Sequence, residues 1–262
     1  MTVGRGSVSP QALRRVLGVV AGIVLLALWQ IAGKAGISPY LPPMSDAVGA
    51  AWDMVTGPQL KADILPSVGR ALAGLIIGCL LGMLAGVVIG YGRLHEWVRP
   101  TLEFLRSLPI VAIAPVVLIA FTPGSATRVG IIALASFWPV FVNTEDAARS
   151  VDERLIETAR AYGRNRSWIL FRLVGPATLP MAVAGARIAT SVSLLAMVVS
   201  EFFLATSGLG YQLQYDARGY DVAGMFGAIL ILGIIGRVMS GAFNGFEHWV
   251  LRWYLGQKGL TQ

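Results

Sequence analysis

Long apolar runs, separated by short polar segments, constrain this chain more than any other feature of its sequence. A run of about 20 apolar residues is long enough to cross the hydrocarbon core of a bilayer as a helix. Inside that core every backbone N–H and C=O needs a partner, so only helices and closed barrels span it. Charged residues make up 13% of the chain, against about 25% in soluble domains. The sequence therefore predicts an all-α integral membrane protein.

Six segments are predicted to cross the membrane, and 262 residues accommodate them with their loops. The predicted spans cover residues 16–32, 65–90, 102–121, 129–142, 181–204 and 222–243. The fourth is short, so we expect it to begin earlier and to run on toward Ala148. In the third, Pro109 and Pro115 predict kinks. A cleaved signal peptide is the alternative for the first, but residues 33–36 form a poor cleavage site, and we expect the span to be retained.

Lysine and arginine are distributed unevenly among the segments that join the predicted spans. If both termini are cytoplasmic, the inner segments hold Arg5, Arg14, Arg15, Arg93, Arg99, Arg149, Arg154, Arg160, Arg164, Arg166, Arg172, Arg252 and Lys258. The outer segments hold Lys34, Lys61, Arg128 and Arg218. This bias satisfies the positive-inside rule and accounts for the net charge of +7 without nucleic-acid binding. The predicted organisation is a cytoplasmic tail (1–15), a transmembrane domain (16–253) and a second cytoplasmic tail (254–262).

Glycine recurs at every fourth position of the second predicted span. The five are Gly74, Gly78, Gly82, Gly86 and Gly90. A glycine costs about 1 kcal/mol in an exposed helix relative to alanine, so five on one stripe need a structural reason. In lipid, stripes of small residues let two helix backbones approach closely. We expect this stripe to be a helix-packing surface.

Three polar segments are predicted to lie at the membrane surface. Because Pro42 and Pro43 cannot continue a helix, we expect Ser45 to cap a short interfacial helix after them. Residues 205–221 are predicted to form a polar loop. The last span is predicted to end in an interfacial belt of Trp249, Arg252, Trp253 and Tyr254.

The most charged stretch of the chain, residues 150–180, lies between the fourth and fifth predicted spans. Ser150 and Glu153 have the spacing of a capping box, which predicts that a helix begins there. Gly163 is a natural helix stop, because glycine enters the left-handed conformation at little cost. Asn165 is expected to cap a second short helix. The sequence thus predicts a compact helix–glycine–helix hairpin between two spans.

An apolar stripe and a terminator complete the prediction for this hairpin. Leu155, Ala159 and Tyr162 recur at helical spacing, which predicts that they share one apolar face. The second helix is expected to end at Gly175-Pro176. From these residues alone, an ordinary amphipathic cytoplasmic hairpin remains an open interpretation.

The hairpin resembles a loop of the membrane subunits of binding-protein-dependent ABC importers, with the pattern E-A-A-x3-G-x9-I-x-L-P. The corresponding residues here are Glu157, Thr158, Ala159, Gly163, Leu173 and Pro176. Thr158, Leu173 and Gly175 depart from the pattern, each with a small or apolar residue. In that family the loop docks on the ATP-hydrolysing subunit. The resemblance therefore implies that this loop, residues 150–176 with Arg160 among them, couples the chain to an ATPase.

The resemblance extends from about Leu41 to Trp253 and is closest to the nitrate/sulfonate/taurine branch of these permeases. It rests on Leu41-Pro42-Pro43-Met44-Ser45, Leu105-Arg106-Ser107-Leu108-Pro109, Pro139 with Val142-Asn143-Thr144, Arg149-Ser150-Val151-Asp152, Gly185-Ala186-Arg187-Ile188-Ala189, Glu201 and Ser207-Gly208-Leu209-Gly210-Tyr211. Residues 122–125, Thr-Pro-Gly-Ser, depart from the glycine-rich acidic turn that is usual there. The fold that this implies is the type I ABC importer permease fold, called MetI-like.

The resemblance also implies a function and a set of partners. The chain would move a small solute, such as a sulfonate, nitrate, taurine or a similar compound, across a bacterial plasma membrane. It would pair with a second copy of itself, two ATP-binding subunits and a periplasmic or lipid-anchored solute receptor. ATP and Mg would bind to the ATPase subunits, and this chain would hold no cofactor and no metal.

Six residues are predicted to line or gate the solute path: Glu201, Ser200, Met197, Asn143, Pro109 and Arg106. Ionisable residues inside spans are costly and tend to face a cavity or the bundle interior. Glu201 near the outer end of the fifth span is the favoured gate. A purely structural role, with Glu201 paired to Arg70 or to another helix, is the alternative.

Several other functional classes are disfavoured by the sequence. It contains no phosphate-binding P-loop and no H-E-x-x-H, and its two histidines lie at span ends. Intramembrane serine or aspartyl proteolysis would need facing catalytic groups deep in the bilayer, and Asp146 and Asp221 lie at opposite ends. With one cysteine, Cys79, neither a disulfide nor a cysteine zinc site forms. The chain is predicted not to be an enzyme, and the alternatives that remain are an ATP-independent channel, a secondary carrier and a membrane scaffold.

Overall fold

In the computed structural model the described residues are 10–92, 95–122, 124–203, 205–252 and 254, and helices dominate them. Those residues contain no strand, which confirms the predicted all-α class. The helices are α1 (Pro10–Lys34), α2 (Met44–Thr56), α3 (Leu65–Tyr91), α4 (His95–Ser107), α5 (Ile110–Ala120), α6 (Ser125–Arg149), α7 (Glu153–Ala161), α8 (Arg166–Ile169), α9 (Gly175–Phe202), α10 (Leu209–Arg218) and α11 (Val222–Val250). The predicted tails lie mostly outside the described residues, although α1 begins at Pro10, inside the first of them.

Among the described residues, five helical segments are long and apolar enough to cross a membrane. They are Val16–Lys34, Leu60–Tyr91, Ser125–Arg149, Arg166–Phe202 and Val222–Val250. The third predicted span is wrong as a single helix, because α4 and α5 meet at a bend of 87° between Pro100–Ser107 and Ile110–Ala120. Pro109 stands in this break in an extended conformation, where its ring prevents the helix from continuing.

The direction of α3 and α6 shows that the broken pair still carries the chain across the membrane. Gly74 of α3 packs against Ile132 of α6, and Gly90 packs against Ala148, so the two helices run parallel. Parallel neighbours require the intervening chain to return to the end where it started. Since α4 and α5 are the described helices between them, this pair makes the return and adds a sixth crossing to the five long helical segments of the described residues.

The central helices form one bundle around α6. Gly185 of α9 packs against Pro139, while Met197 shares a core cluster with Ile132, so α9 runs antiparallel to α6. We call the end where α6 reaches Arg149 the hairpin end, and the end where α9 reaches Glu201 the Glu201 end. The spans predicted at residues 65–90 and 181–204 correspond to α3 and α9, and in the structure both helical segments begin earlier.

Short π-helical segments extend these two spans at their start. Leu60–Ile64 leads into α3, and Leu170–Val174 leads into α9. The expectation that Gly175-Pro176 ends a helix is therefore wrong. Pro176 instead occupies the first turn of α9, where its missing N–H leaves no helical hydrogen bond unmade.

Two short helices cover the Glu201 end. The predicted polar loop 205–221 is wrong over most of its length, because it contains α10. Ser45 does not cap α2, which begins after Pro43 without a side-chain cap. The packing of α2 on α11 is close, since a Cβ on Gly227 would meet the backbone nitrogen of Ala51 at 2.9 Å.

α1 is peripheral to this bundle, and none of its apolar window is buried. Its contacts lie at its C-terminal end, where Trp29 Nε1 donates a hydrogen bond of 3.0 Å to the carbonyl oxygen of Pro42. The Trp29 ring also packs on Phe226, with centroids 5.5 Å apart. The apolar side of α1 is therefore available to lipid or to another chain.

Candidate functional site

The hairpin between α6 and α9 is built from local capping contacts. Asp152 caps α7, because its side chain accepts a hydrogen bond of 2.9 Å from the Arg154 N–H. The predicted capping box at Ser150 is therefore wrong, and Ser150 instead ends α6. Asn165 caps α8 as predicted, accepting a hydrogen bond of 2.8 Å from the Trp168 N–H.

Gly163 forms the turn between the two hairpin helices. Its φ is 71°, in the left-handed region, and a Cβ there would meet nothing within 4 Å. Glycine is thus favoured at this position by backbone conformation and not by crowding. The N–H of Arg164 donates to the carbonyl oxygen of Ala159 over 3.0 Å, which closes the end of α7.

The hairpin rests on the bundle through Ile156, Ala159 and Leu173, which pack against the core formed by Ala148, Ile169 and Val174. Of the predicted apolar stripe, Ala159 faces this core, while Leu155 and Tyr162 are 53% and 80% exposed. Together with Phe171, these residues give the hairpin an apolar outer surface.

The residues of the coupling pattern divide between these two faces. Glu157, Thr158, Arg160, Gly163 and Pro176 are exposed. Ala159 and Leu173 are half-buried and hold the hairpin on the bundle. Glu157 and its neighbours are thus presented on a rigidly seated helix.

At the opposite end, Glu201 is fully buried and forms the centre of a polar cluster. Its Oε1 accepts a hydrogen bond of 2.7 Å from Arg70 Nη1. Ser67 Oγ lies 2.7 Å from Oε2, and the backbone N–H of Gly210 donates to Oε2 over 3.1 Å. The cluster is stabilised because charge and hydrogen bonds are satisfied together, as a buried ion pair requires.

The same cluster ties the segment before α10 to the start of α3. Ser67 Oγ accepts a hydrogen bond of 2.8 Å from the Leu209 N–H, and Asp63 Oδ1 accepts one of 2.7 Å from the Gly208 N–H. Gly208 has a φ of 122°, and a Cβ there would lie 2.4 Å from the Glu201 carboxylate. We call Asp63, Ser67, Arg70, Glu201 and the backbone of residues 207–210 the Glu201 cluster.

Arg70 also links this cluster to α6. Its Nε donates to Ser125 Oγ over 3.1 Å, and its Nη1 donates to the Ser207 carbonyl oxygen over 3.2 Å. Arg128 of α6, also buried, lies near enough to interact electrostatically with Arg70 and Glu201. One arginine thus joins α3, α6, α9 and the segment that precedes α10.

Asp216 of α10 lies beside the cluster in a second acidic group. Its Oδ1 accepts a hydrogen bond of 2.8 Å from Gln212, whereas its buried Oδ2 has no hydrogen-bond partner among the described residues. Burial, the neighbouring Asp221 and the more distant Asp63 raise the pKa of Asp216 to about 6, and the Gln212 hydrogen bond opposes them. This carboxyl group therefore takes up a proton more readily than an exposed aspartate does.

The glycine stripe of α3 lies directly against α6. A Cβ on Gly78 would meet the Ala133 carbonyl oxygen at 2.5 Å, and one on Gly82 would meet that of Phe137 at 2.7 Å. Gly74, Gly86 and Gly90 have contacts of 2.5 to 2.7 Å with Ile132, Thr144 and Ala148. Since real Cβ atoms do not approach backbone so closely, glycine is what allows these two helices to touch.

The structure does not bring the six predicted path residues together. Ser200 and Met197 lie beside Glu201 and are fully buried, with Ser200 Oγ donating to the Met197 carbonyl oxygen over 2.8 Å. Asn143 lies beside Gly185, about 24 Å from Glu201 along α9. Pro109 stands in the α4–α5 break, and Arg106 lines a cavity of 240 Å³ that α4 forms with the end of α6.

Two residues of the Glu201 cluster, Asp63 and Ser67, were missed by the sequence prediction, whereas Arg70 was named as a possible structural partner of Glu201. Asp63, Ser67 and Arg70 occur at i, i+4 and i+7, which places them on one helical face. A polar stripe at the start of an apolar span was the available signal. For Asp63 and Ser67 this stripe did not identify the hydrogen-bond partners, which lie far away in the sequence.

The described residues thus form the all-helical bundle of a multi-pass membrane protein, with a seated hairpin at one end and a buried ionic cluster at the other. Residues 74–252 match the family described as the binding-protein-dependent transport system inner membrane component. The chain belongs to this family, whose members are the permease subunits of ABC transporters. Such a subunit is not an enzyme, since ATP binding takes place on a partner ATPase.

Curated relatives cover nearly the whole chain. The putative aliphatic sulfonates transport permease protein SsuC of Escherichia coli is 30% identical over 92% of this chain and 93% of its own length. Its Bacillus subtilis namesake is 28% identical over 90% and 87%. The bicarbonate transport system permease protein CmpB of Synechococcus elongatus is 26% identical over 92% of each.

A solved structure confirms the fold. The chain resembles one chain of the methionine ABC transporter MetNI in an inward-facing conformation, with a TM-score of 0.61 and 20% identity. The match covers 73% of this chain and 95% of that chain. The protein thus has the MetI-like, type I importer permease fold.

Proposed function

We propose that this chain is the permease of an ATP-driven importer for a small solute, namely a sulfonate, nitrate, taurine or a similar small anion or organic compound. The observation that carries the proposal is the hairpin, which is seated on the bundle by Ile156 and Ala159 and presents Glu157 outward. A channel or a secondary carrier has no use for such a docking element. The relatives named for sulfonates and bicarbonate support an anionic solute.

In this proposal the hairpin is the surface that receives the ATPase. Leu155, Tyr162 and Phe171 are 53%, 80% and 68% exposed, so they offer apolar area to a partner groove. Glu157, Thr158 and Arg160 add polar contacts at its rim, and Gly163 keeps the two helices at a fixed angle. Ala159, Leu173 and Pro176 transmit a push on the hairpin directly into α9, because the chain is helical from Arg166 onward.

The partners follow from the family, and their number is part of the proposal. Two permease copies would pair, each with one ATPase below it that holds ATP and Mg, and one solute receptor would dock at the Glu201 end. The unburied apolar side of α1 supplies contact area for lipid or for the second copy.

The orientation rests on charge. The hairpin carries Arg154, Arg160, Arg164, Arg166 and Arg172, which favours the cytoplasmic side. Six crossings then place both termini in the cytoplasm. We propose that the protein lies in the bacterial inner membrane in this orientation.

Of the two interpretations of Glu201, its contacts favour the structural one. A gate must open, yet Glu201 is fully buried and hydrogen-bonded to two side chains of α3 and to the backbone of residue 210. We therefore propose that it holds the Glu201 end of the bundle together while the hairpin end moves.

Reconstitution tests the proposed function. The chain, its ATPase and its receptor are placed in proteoliposomes, and uptake of labelled ethanesulfonate, nitrate, taurine and bicarbonate is measured. We expect uptake of at least one of these that needs both ATP and the receptor. Uptake that continues without ATP would show a channel or a carrier instead.

A further inference from the structure

The middle of α11 carries an exposed arginine on a helix that crosses the membrane. Arg237 is the sixteenth of the 29 residues of Val222–Val250, about 22 Å from its start. Its side chain is exposed, and no ion pair or hydrogen bond to it occurs among the described residues. A charged group at this depth is costly in lipid, so it normally faces a cavity or a counter-charge.

Arg237 belongs to a polar face of α11. Ser240, Asn244 and His248 follow it at helical spacing, and none of these is buried. The buried residues of α11, such as Ile231 and Met239, lie on the other side of the helix. This face thus points away from the core of its own chain and is too polar to suit hydrocarbon.

The polar face continues onto α9. Arg187 forms a salt bridge with Glu247 of α11, and its side chain is 59% exposed. The Arg237 guanidinium lies along α11 toward this pair, since a Cβ on Gly241 would meet its Nη1 at 3.3 Å. The face therefore holds two arginines and one carboxylate, with an excess of one positive charge.

A second copy of the chain does not supply the missing negative charge at this depth. The acidic residues of the five long helices lie only near helix ends: Glu145 and Asp146 of α6, Glu201 of α9 and Glu247 of α11. Those of the broken pair, Glu96 and Glu103, both belong to α4, and Glu103 lines a cavity with the last residues of α6 at the hairpin end. α1 and α3 contain none. The unmatched charge thus calls for an anion from outside the protein.

We infer that Arg237 lies in the water-filled solute path at mid-membrane and binds the anion as it passes. This assignment rests on the proposed function, and it names the residue that recognises the charge of the solute. Arginine suits the task, because its planar guanidinium hydrogen-bonds two oxygens of a sulfonate, nitrate or bicarbonate at once. The exposed Arg187, one step further toward the hairpin end, offers a second positive group.

A thiol at Gly241 tests the inference without requiring transport. Cys79→Ala removes the native thiol, and Gly241→Cys places a new one beside Arg237 in the complex with its ATPase. Its rates of modification by an anionic and by a cationic methanethiosulfonate are measured with and without ATP and are normalised to a free thiol. We expect a preference for the anionic reagent, and we expect Arg237→Gln to reduce it by about tenfold.

The controls make each outcome decisive. Arg218→Gln removes an exposed arginine outside the spans and should leave the preference unchanged. If the Gly241→Cys thiol reacts with neither reagent, with or without ATP, this face of α11 is closed to water and the inference is overturned. The inference is also overturned if Arg237→Gln leaves the preference for the anionic reagent unchanged. If the wild-type complex imports none of the tested anions while the preference for the anionic reagent still depends on Arg237, the proposed function fails but the anion site at Arg237 is supported.

Discussion

Arg70 Nη1 lies 2.7 Å from Glu201 Oε1, and the two side chains are 9% and 0% exposed. This pair joins the start of α3 to the end of α9, and Ser67 and the Gly210 N–H complete the coordination of the carboxylate. A buried charge that loses its partner is far more costly than a surface charge in the same position. We therefore expect the pair to hold the Glu201 end of the bundle together.

Glu201→Gln should destabilise the protein by about 3–5 kcal/mol, because Arg70 keeps its charge and loses its partner. The measurement is thermal unfolding in detergent, together with ATPase activity per folded complex. Glu157→Gln, which changes an exposed carboxylate, should leave the unfolding temperature unchanged. Unaltered stability with raised basal ATPase would instead support a gate at Glu201.

Gly82→Ala should separate α3 from α6, since the new Cβ would lie 2.7 Å from the Phe137 carbonyl oxygen. We expect a loss of about 1–3 kcal/mol, as overpacking usually produces. Gly69→Ala on the same helix is the matched control, because a Cβ there meets nothing within 4 Å. That variant should be neutral or gain up to about 1 kcal/mol from better helix propensity. Equal unfolding temperatures for the two variants would contradict the packing of the stripe on α6.

Gly163→Val should uncouple the hairpin from the ATPase while leaving the bundle assembled. A β-branched residue at a φ of 71° costs about 1–3 kcal/mol locally, which disorders the turn between α7 and α8. The measurement is substrate-stimulated ATPase in the reconstituted complex, which should fall toward the basal rate. Gly163→Asn, whose side chain tolerates the left-handed conformation, should retain most of the stimulation. Full stimulation of the ATPase in the valine variant would show that the hairpin does not couple the chain to the ATPase.

Stability should depend on pH through Asp216. Its pKa is raised from 3.8 to about 6 in the folded protein, so folding takes up protons between these values. The stabilisation is therefore complete below about pH 4 and is lost as the pH rises through 6. Asp216→Asn should remove this dependence and raise the unfolding temperature at pH 7.5 by about 2–4 °C. Asp46→Asn, at an exposed site, should alter neither the pH dependence of stability nor the unfolding temperature. If Asp216→Asn leaves the pH profile of stability unchanged, Asp216 is not the group responsible.

The sequence alone determined the features that local physics controls. Apolar runs required membrane helices, the four-residue period of glycine indicated a packing stripe, and Asn165 and Gly163 marked the ends of the hairpin helices. These signals are readable because helical spacing and capping depend on residues within a few positions of one another. The permease family was indicated differently, by the resemblance of the segment around Glu157 to the coupling pattern of that family.

Tertiary structure alone decided which surfaces meet. Ser67 and Glu201 are 134 residues apart, and no local pattern in the sequence predicts that they form a hydrogen bond. Ile156 packs on the bundle while Leu155 is exposed, because the choice depends on how α7 meets α3 and α6. The third span bends by 87° at Pro109, where the sequence predicted a kink but not its angle, and Arg237 is exposed on a face that apolar spacing alone does not orient. Periodicity defines the faces of a helix, but only packing in three dimensions determines whether a face meets another helix, lipid or water.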